Sequence, residues 1–258
     1  NIVIVILLLV NAFLRFLLLS RRAEERDSNE RRVEQLCTLF EKNGVAFDRA
    51  LLPDEEAHLS LSLERDAARE EAFASALLGT AESSASGGGV SRFTGEYGSC
   101  SIRSGGTVDA LLSRPVDNPE SFCKQFFKTF GYTFLTSQLT DGSGSVTGMR
   151  SEKGQLIFNA SLTLTYSDSS LTGVSGTFLP ALDEGRRTVG RDAVDALVHF
   201  LDYCSVSGVV CTEVRALDEG YLLQTSSASP LRLQGVWRIS TDVSSYYVNC
   251  KTGEITRE

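Results

Sequence analysis

The chain has 258 residues, a formal net charge of −8 and 42% hydrophobic residues, enough for one large domain or two small ones and ordinary for a folded protein. The acidic balance argues against nucleic acid as a partner, because that binding relies on many phosphate-neutralising Lys and Arg. It argues equally against a polybasic grip on anionic lipid.

From Ile2 to Leu19 the sequence is almost unbroken Ile, Val, Leu and Phe, interrupted only by Asn11 and Arg15. A helix of about 20 apolar residues matches the hydrocarbon thickness of a bilayer, so residues 1–20 are predicted to be a transmembrane helix. The run is too long for a signal-peptide core and meets Ser20-Arg21-Arg22 without small cleavage-site residues, which reads as an uncleaved anchor. Arg21, Arg22 and Arg26 on its far side leave the orientation open.

Residues 21–44 read as a juxtamembrane helical stalk. Arg21 with Glu25, Arg26 with Glu30 and Asp27 with Arg31 lie four apart, each pair adding a few tenths of a kcal/mol. Val33, Leu36, Cys37 and Phe40 then form an apolar stripe at helical spacing, which Asn43-Gly44 ends. The stripe packs on the following domain or on a partner helix, or the stalk is simply a solvated charged helix.

Beyond it, three α+β units are predicted, over 45–112, 113–185 and 186–258. In the first, Leu59, Leu61 and Leu63 alternate with polar residues as a strand. Asp66 caps a helix reaching Leu78 and stopping at Gly79, and Thr80 to Gly89 reads as a flexible Ser/Ala/Gly loop. In the second, Asn118-Pro119 opens a helix striped by Phe122, Phe126, Phe127 and Phe130 and closed by Gly131. Along Gln155–Tyr166, Phe158, Ala160, Leu162, Leu164 and Tyr166 share one face. In the third, a helix over about Arg191–Cys204 turns Val194, Leu197, Val198 and Leu201 inward. Strands at Val209–Ala216 and Tyr221–Thr225 are separated by an Asp218-Glu219-Gly220 turn. The predicted fold class is therefore α+β: an N-terminal transmembrane helix followed by repeated units of a helix plus an antiparallel meander.

No catalytic motif emerges, and no cofactor is expected. Asp192, Asp195, His199 and Asp202 share a helix face, and the Asp195–His199 pair could contribute two ligands to a metal, but two leave a site incomplete. A solvated helix face is the plainer reading. The six cysteines show no zinc spacing and read as buried thiols. Of the possible bridges, Cys204 to Cys211 fits best, stapling a helix end to the next strand. Asn159-Ala160-Ser161 is a formal glycosylation sequon inside a predicted strand.

The strongest local signature lies near the C-terminus. Trp237-Arg238-Ile239 is followed by Tyr246-Tyr247-Val248-Asn249 and then Thr252-Gly253-Glu254-Ile255. Physically it is an aromatic hairpin that closes a core. The pattern also resembles the terminal hairpin of PepSY-like domains, in particular those of the YycI/YycH-type regulators that accompany a sensor histidine kinase in low-GC Gram-positive bacteria. The hairpin residues Trp237, Arg238, Tyr246, Tyr247, Asn249 and Gly253 carry the resemblance. It implies a single-pass protein of the cell membrane whose bulk is extracytoplasmic, acting in signal transduction without catalysis. The implied partners are the histidine kinase and a sister regulatory membrane protein. Within the predicted membrane helix, Asn11 and Arg15 lie four apart on one face and are the expected partner contact. The competing reading is a PepSY-like binding or inhibitory module for an extracellular protease or cell-wall enzyme.

Overall fold

The computed structural model describes residue 15 and residues 27–53, 59–152, 154–180, 186–187, 190–226 and 229–258. Helix α1 covers residues 27–42, and a short strand β1 (Ala46–Phe47) follows it. After β2 (Leu59–Ser62) comes α2 (Ala67–Leu78). The Asp66 carboxylate accepts from the Arg69 amide at 3.1 Å, the N-cap that the sequence announces, and such caps contribute about 1 kcal/mol.

Strands β3 (Ala81–Gly87), β4 (Val90–Gly95), β5 (Gly98–Arg103) and β6 (Thr107–Pro115) succeed one another as antiparallel neighbours. Here the expected Thr80–Gly89 loop is corrected to strand β3 and a tight turn. Gly88 and Gly89 take φ of +59° and +77°, the doubly left-handed geometry that closes a two-residue hairpin. A Ser- and Ala-rich strand is tolerated because β3 is an edge strand that pairs only with β4.

Helix α3 (Pro119–Phe130) is capped by Asn118, whose side-chain oxygen accepts from Ser121 at 2.9 Å, and ends at Gly131 in the left-handed region. Strands β7 (Tyr132–Thr140), β8 (Ser143–Glu152), β9 (Gln155–Ser167) and β10 (Ser170–Thr177) follow. After the two-residue strand β11 (Arg186–Arg187) come α4 (Ala193–Ser207), β12 (Glu213–Ser226), β13 (Ser229–Thr241), β14 (Ser245–Asn249) and β15 (Ile255–Arg257).

The predicted fold class is corrected at this level. The strands do not form separate helix-plus-meander units: among the described residues they join in one fifteen-stranded mixed sheet. The joins are long-range, with β6 against β10 antiparallel and β9 against β12 parallel through Leu156–Gly220 and Ile157–Tyr221. Closed meanders would have left those edges with unpaired N–H and C=O groups; pairing them across segments satisfies both sides. The transmembrane part of the prediction also finds no counterpart. No helix among the described residues is long and apolar enough to cross a membrane, and residues 1–20 lie outside the described residues apart from Arg15, which is helical and exposed.

The Asp218-Glu219-Gly220 turn is likewise corrected, since these residues run through the middle of β12. Asp218 sits opposite Arg238 in the ladder and binds it at 2.8 Å. Gly220 is needed for closeness rather than for a turn: a Cβ there would lie 2.6 Å from the Phe158 ring and 2.5 Å from the Leu156 carbonyl.

The apolar interior divides along the sheet. Helices α2 and α3 cover one part, where Phe73 meets Phe126, Phe130 and Phe178 at ring separations of 5.5, 5.1 and 4.5 Å. Helices α1 and α4 cover another, built on Trp237, Ile239, Tyr246 and Val248 of β13 and β14.

Candidate functional site

The most informative constellation is the seam where α1 meets α4 and the terminal hairpin. Val33, Leu36 and Phe40, three of the four residues in the predicted stripe, are buried there at 5%, 2% and 1% exposure. Cys37, the fourth, is half-buried at the rim. The chain then turns at Gly44, buries Val45 and stacks Phe47 on Phe40 with ring centroids 4.8 Å apart. Strand β1 adds in parallel to the first residues of β12, so the exit from α1 is tied to the sheet by backbone hydrogen bonds. A shallow crevice of about 450 Å³ opens beside Cys37, Glu41 and Ala46.

Electrostatics reinforce the packing. The Arg32 guanidinium lies 2.8 Å from Asp192 and 3.2 Å from Asp195, at the N-terminus of α4. Asp192 is simultaneously the N-cap, accepting from the Asp195 amide at 2.8 Å. Its charge therefore serves the helix dipole and Arg32 together. Hydrogen bonding to Asp192 pushes the Arg32 pKa up, against the smaller opposing effect of burial. Arg32 remains about two-fifths exposed, so the pair contributes on the order of 1 kcal/mol or less.

These contacts also account for the polar face that carries Asp195 and His199. Asp195 turns to Arg32, and His199 Nε2 lies 2.7 Å from a terminal nitrogen of Arg191. No group of three or more His, Cys, Asp or Glu suited to a metal is found among the described residues. The face is not simply solvated, since Asp195 and His199 both have partners. Sequence reasoning missed the Arg32 pairs because Asp192 and Asp195 lie on an element that only the fold brings near, and it missed Arg191 with His199, eight residues apart at the start of α4, because no motif marks that contact.

The terminal-hairpin residues are placed as follows. Trp237 is fully buried and donates its indole N–H to the Arg191 carbonyl at 2.9 Å. Tyr246 packs on Phe200 and Tyr203 of α4 at 5.1 and 6.0 Å. Arg238 lies over the Phe158 ring at 4.7 Å while holding Asp218. The Tyr247 hydroxyl donates to Glu258 at 2.9 Å. Asn249 accepts from the Lys251 and Thr252 amides, shaping the turn in which Gly253 takes φ +76° against Arg191. Of the expected membrane contacts, Asn11 lies outside the described residues, and Arg15 is described as helical and exposed without its neighbours.

All six cysteines are free thiols. Burial pushes the Cys100 thiol up to about 12, with Asp109 and Glu70 adding to it. Cys123 is buried 3.2 Å from the Tyr166 hydroxyl. The sequon is occupied structurally: the Asn159 amide group exchanges both of its hydrogen bonds with the Leu223 backbone, at 2.9 and 2.7 Å, bridging β9 to β12.

No family model matches the chain, and no curated protein matches it. Among solved structures it is similar to an uncharacterized protein from Eubacterium rectale, with 10% identity and a TM-score of 0.40, over 77% of this chain and 80% of that one. It is also similar to the C-terminal domain of YpeB from Bacillus megaterium, with 13% identity and a TM-score of 0.38, over 76% of this chain and 98% of that one. Neither likeness bears on the YycI/YycH resemblance.

Proposed function

We propose that this chain is a membrane-anchored, extracytoplasmic regulator of a cell-envelope two-component histidine kinase, acting without catalysis and of the YycI/YycH type. Residues 2–19 supply the anchor, and its partners are the kinase and a sister regulatory membrane protein. The observation that favours this reading is the seating of α1. Helix α1 is fixed to the C-terminal core by three buried apolar side chains and by Arg32 on Asp192 and Asp195. A displacement of the outer domain then moves α1 with it. Asn11 and Arg15 are the face through which that displacement reaches a neighbouring helix, since polar groups in hydrocarbon seek a partner.

The test is co-purification from detergent-solubilised membranes with the kinase encoded by the same organism. Replacing Asn11 and Arg15 by Leu is expected to reduce recovery of the kinase by severalfold. Undiminished recovery contradicts the proposed contact.

A further inference from the structure

Cys204 and Cys211 come together in a way that none of the other four cysteines does. Cys204 lies in the last turns of α4 and is half-buried; Cys211 is buried just before β12. Between them the chain reverses through Gly208, whose φ of +69° places it in the left-handed region that closes a helix. Both thiols line one crevice of about 200 Å³, together with Val45, Leu201 and Val210. The loop that carries Cys211 is itself fixed, because Asp242 accepts from Thr212 through both its backbone amide at 3.0 Å and its hydroxyl at 2.8 Å.

We propose that Cys204 and Cys211 are a disulfide-forming pair, oxidised by thiol–disulfide exchange with a small-molecule or protein disulfide that enters the crevice. One cysteine thiolate attacks the oxidant's S–S bond and releases one oxidant thiol. The second thiolate then attacks the resulting mixed disulfide, forms the Cys204–Cys211 bond and expels the second oxidant thiol. Two S–H bonds and one S–S bond are broken; one S–S bond and two oxidant S–H bonds are formed.

The environment sets the pace of that exchange. Burial pushes Cys204 up to about 12, with Cys211 adding to it. Burial also pushes Cys211 up, while its neighbour Cys204 pulls it back. Since the thiolate is the nucleophile, exchange is slow at neutral pH and faster in alkali. The inference does not depend on the proposed regulatory role.

The experiment uses the full-length chain in detergent, reduced and then freed of reductant. Oxidised glutathione at pH 8.5 is the probe, followed by acid quenching, alkylation, proteolysis and mass spectrometry. The expected product is a Cys204–Cys211 cross-linked peptide two hydrogens lighter than the sum of its parts. In Cys204→Ser or Cys211→Ser, the remaining partner is expected instead to keep one glutathione. A stable glutathione adduct on either cysteine of the wild-type chain, with no cross-linked peptide, overturns the proposal, and so does preferential bonding of either to a different cysteine. The wild-type measurement stands even if a serine variant fails to fold.

Discussion

Truncating Phe40 separates a seated α1 from a loose stalk. The Phe40 ring is 1% exposed, stacks on Phe47 and belongs to the same apolar cluster as Trp237. Removing a phenylalanine ring from such a site costs about 3–5 kcal/mol through lost transfer energy and a residual cavity. That is a large share of the 5–15 kcal/mol by which domains are usually stable. A solvated helix would lose about 0.5 kcal/mol or less. Trp237 is the chain's single tryptophan and is fully buried in this cluster, so its fluorescence reports on the relevant core without labelling. With a urea slope of about 3 kcal/mol/M, Phe40→Ala is expected to lower the unfolding midpoint by about 1 M or more. Leu39→Ala is the control, on the same helix but 37% exposed, and should shift the midpoint by much less. Equal small shifts for both variants would show that α1 does not share a core with the terminal hairpin.

Four further outcomes are expected. Gly131→Ala should lower the melting temperature markedly, because the residue holds φ +78° and a Cβ there would meet an Arg150 terminal nitrogen at 1.6 Å; an unchanged melting curve would refute that close approach. Asp192→Ala removes both a helix cap and the Arg32 partner, and in a double-mutant cycle with Arg32→Met the coupling should be about 0.2–1 kcal/mol. A coupling of zero would place Arg32 elsewhere. Hydrogen bonds from Thr212 hold Asp242 below the ordinary carboxylate value of 3.8. Its contribution is therefore complete above that value and lost as pH falls through the lower folded value, which the Thr212 amide resonance should follow in an acid titration. A Thr212 amide that shifts only above pH 4 would count against this. Finally, Cys100, pushed up to about 12, should resist iodoacetamide at pH 8 in the native chain and react once it is unfolded; fast native alkylation would contradict its burial.

What the sequence makes legible is local. Asp66 and Gly79 bound α2, and Asn118-Pro119 and Gly131 bound α3, because caps and left-handed closures are read within a few residues. The alternation along β9 identifies Phe158, Ala160, Leu162, Leu164 and Tyr166 as the buried face. Ile157, which the alternation puts on the opposite face, is nevertheless fully buried, since β12 pairs there and Tyr221, Leu223 and Leu233 pack around it. Val198 departs the other way: its spacing puts it inward on α4, yet it is 41% exposed. Both errors come from packing partners far away in sequence.

The same limit hid the large sheet. Strand propensity offers no indication that β6 should meet β10, or that β9 and β12 should pair in parallel. A Ser- and Ala-rich edge strand looks like a linker until its partner is in place, and Asp218-Glu219-Gly220 looks like a turn until Arg238 and Phe158 are known to face it. At the seam, the Val33, Leu36 and Phe40 stripe was visible from its spacing, whereas its docking site and the Arg32 pairs were not. One practical consequence follows for any soluble fragment. Starting at Asn43 would strip Val33, Leu36 and Phe40 from the core, so a fragment meant to test binding without the membrane should begin at Asp27.

The most direct measurement is photo-crosslinking in living cells from a reactive amino acid placed within residues 2–19, with the trapped protein identified by mass spectrometry. The account predicts a sensor histidine kinase, captured in greater yield from positions beside Asn11 and Arg15 than from the opposite helix face. Equal yields all round the helix, or adducts that never include a kinase, would contradict it.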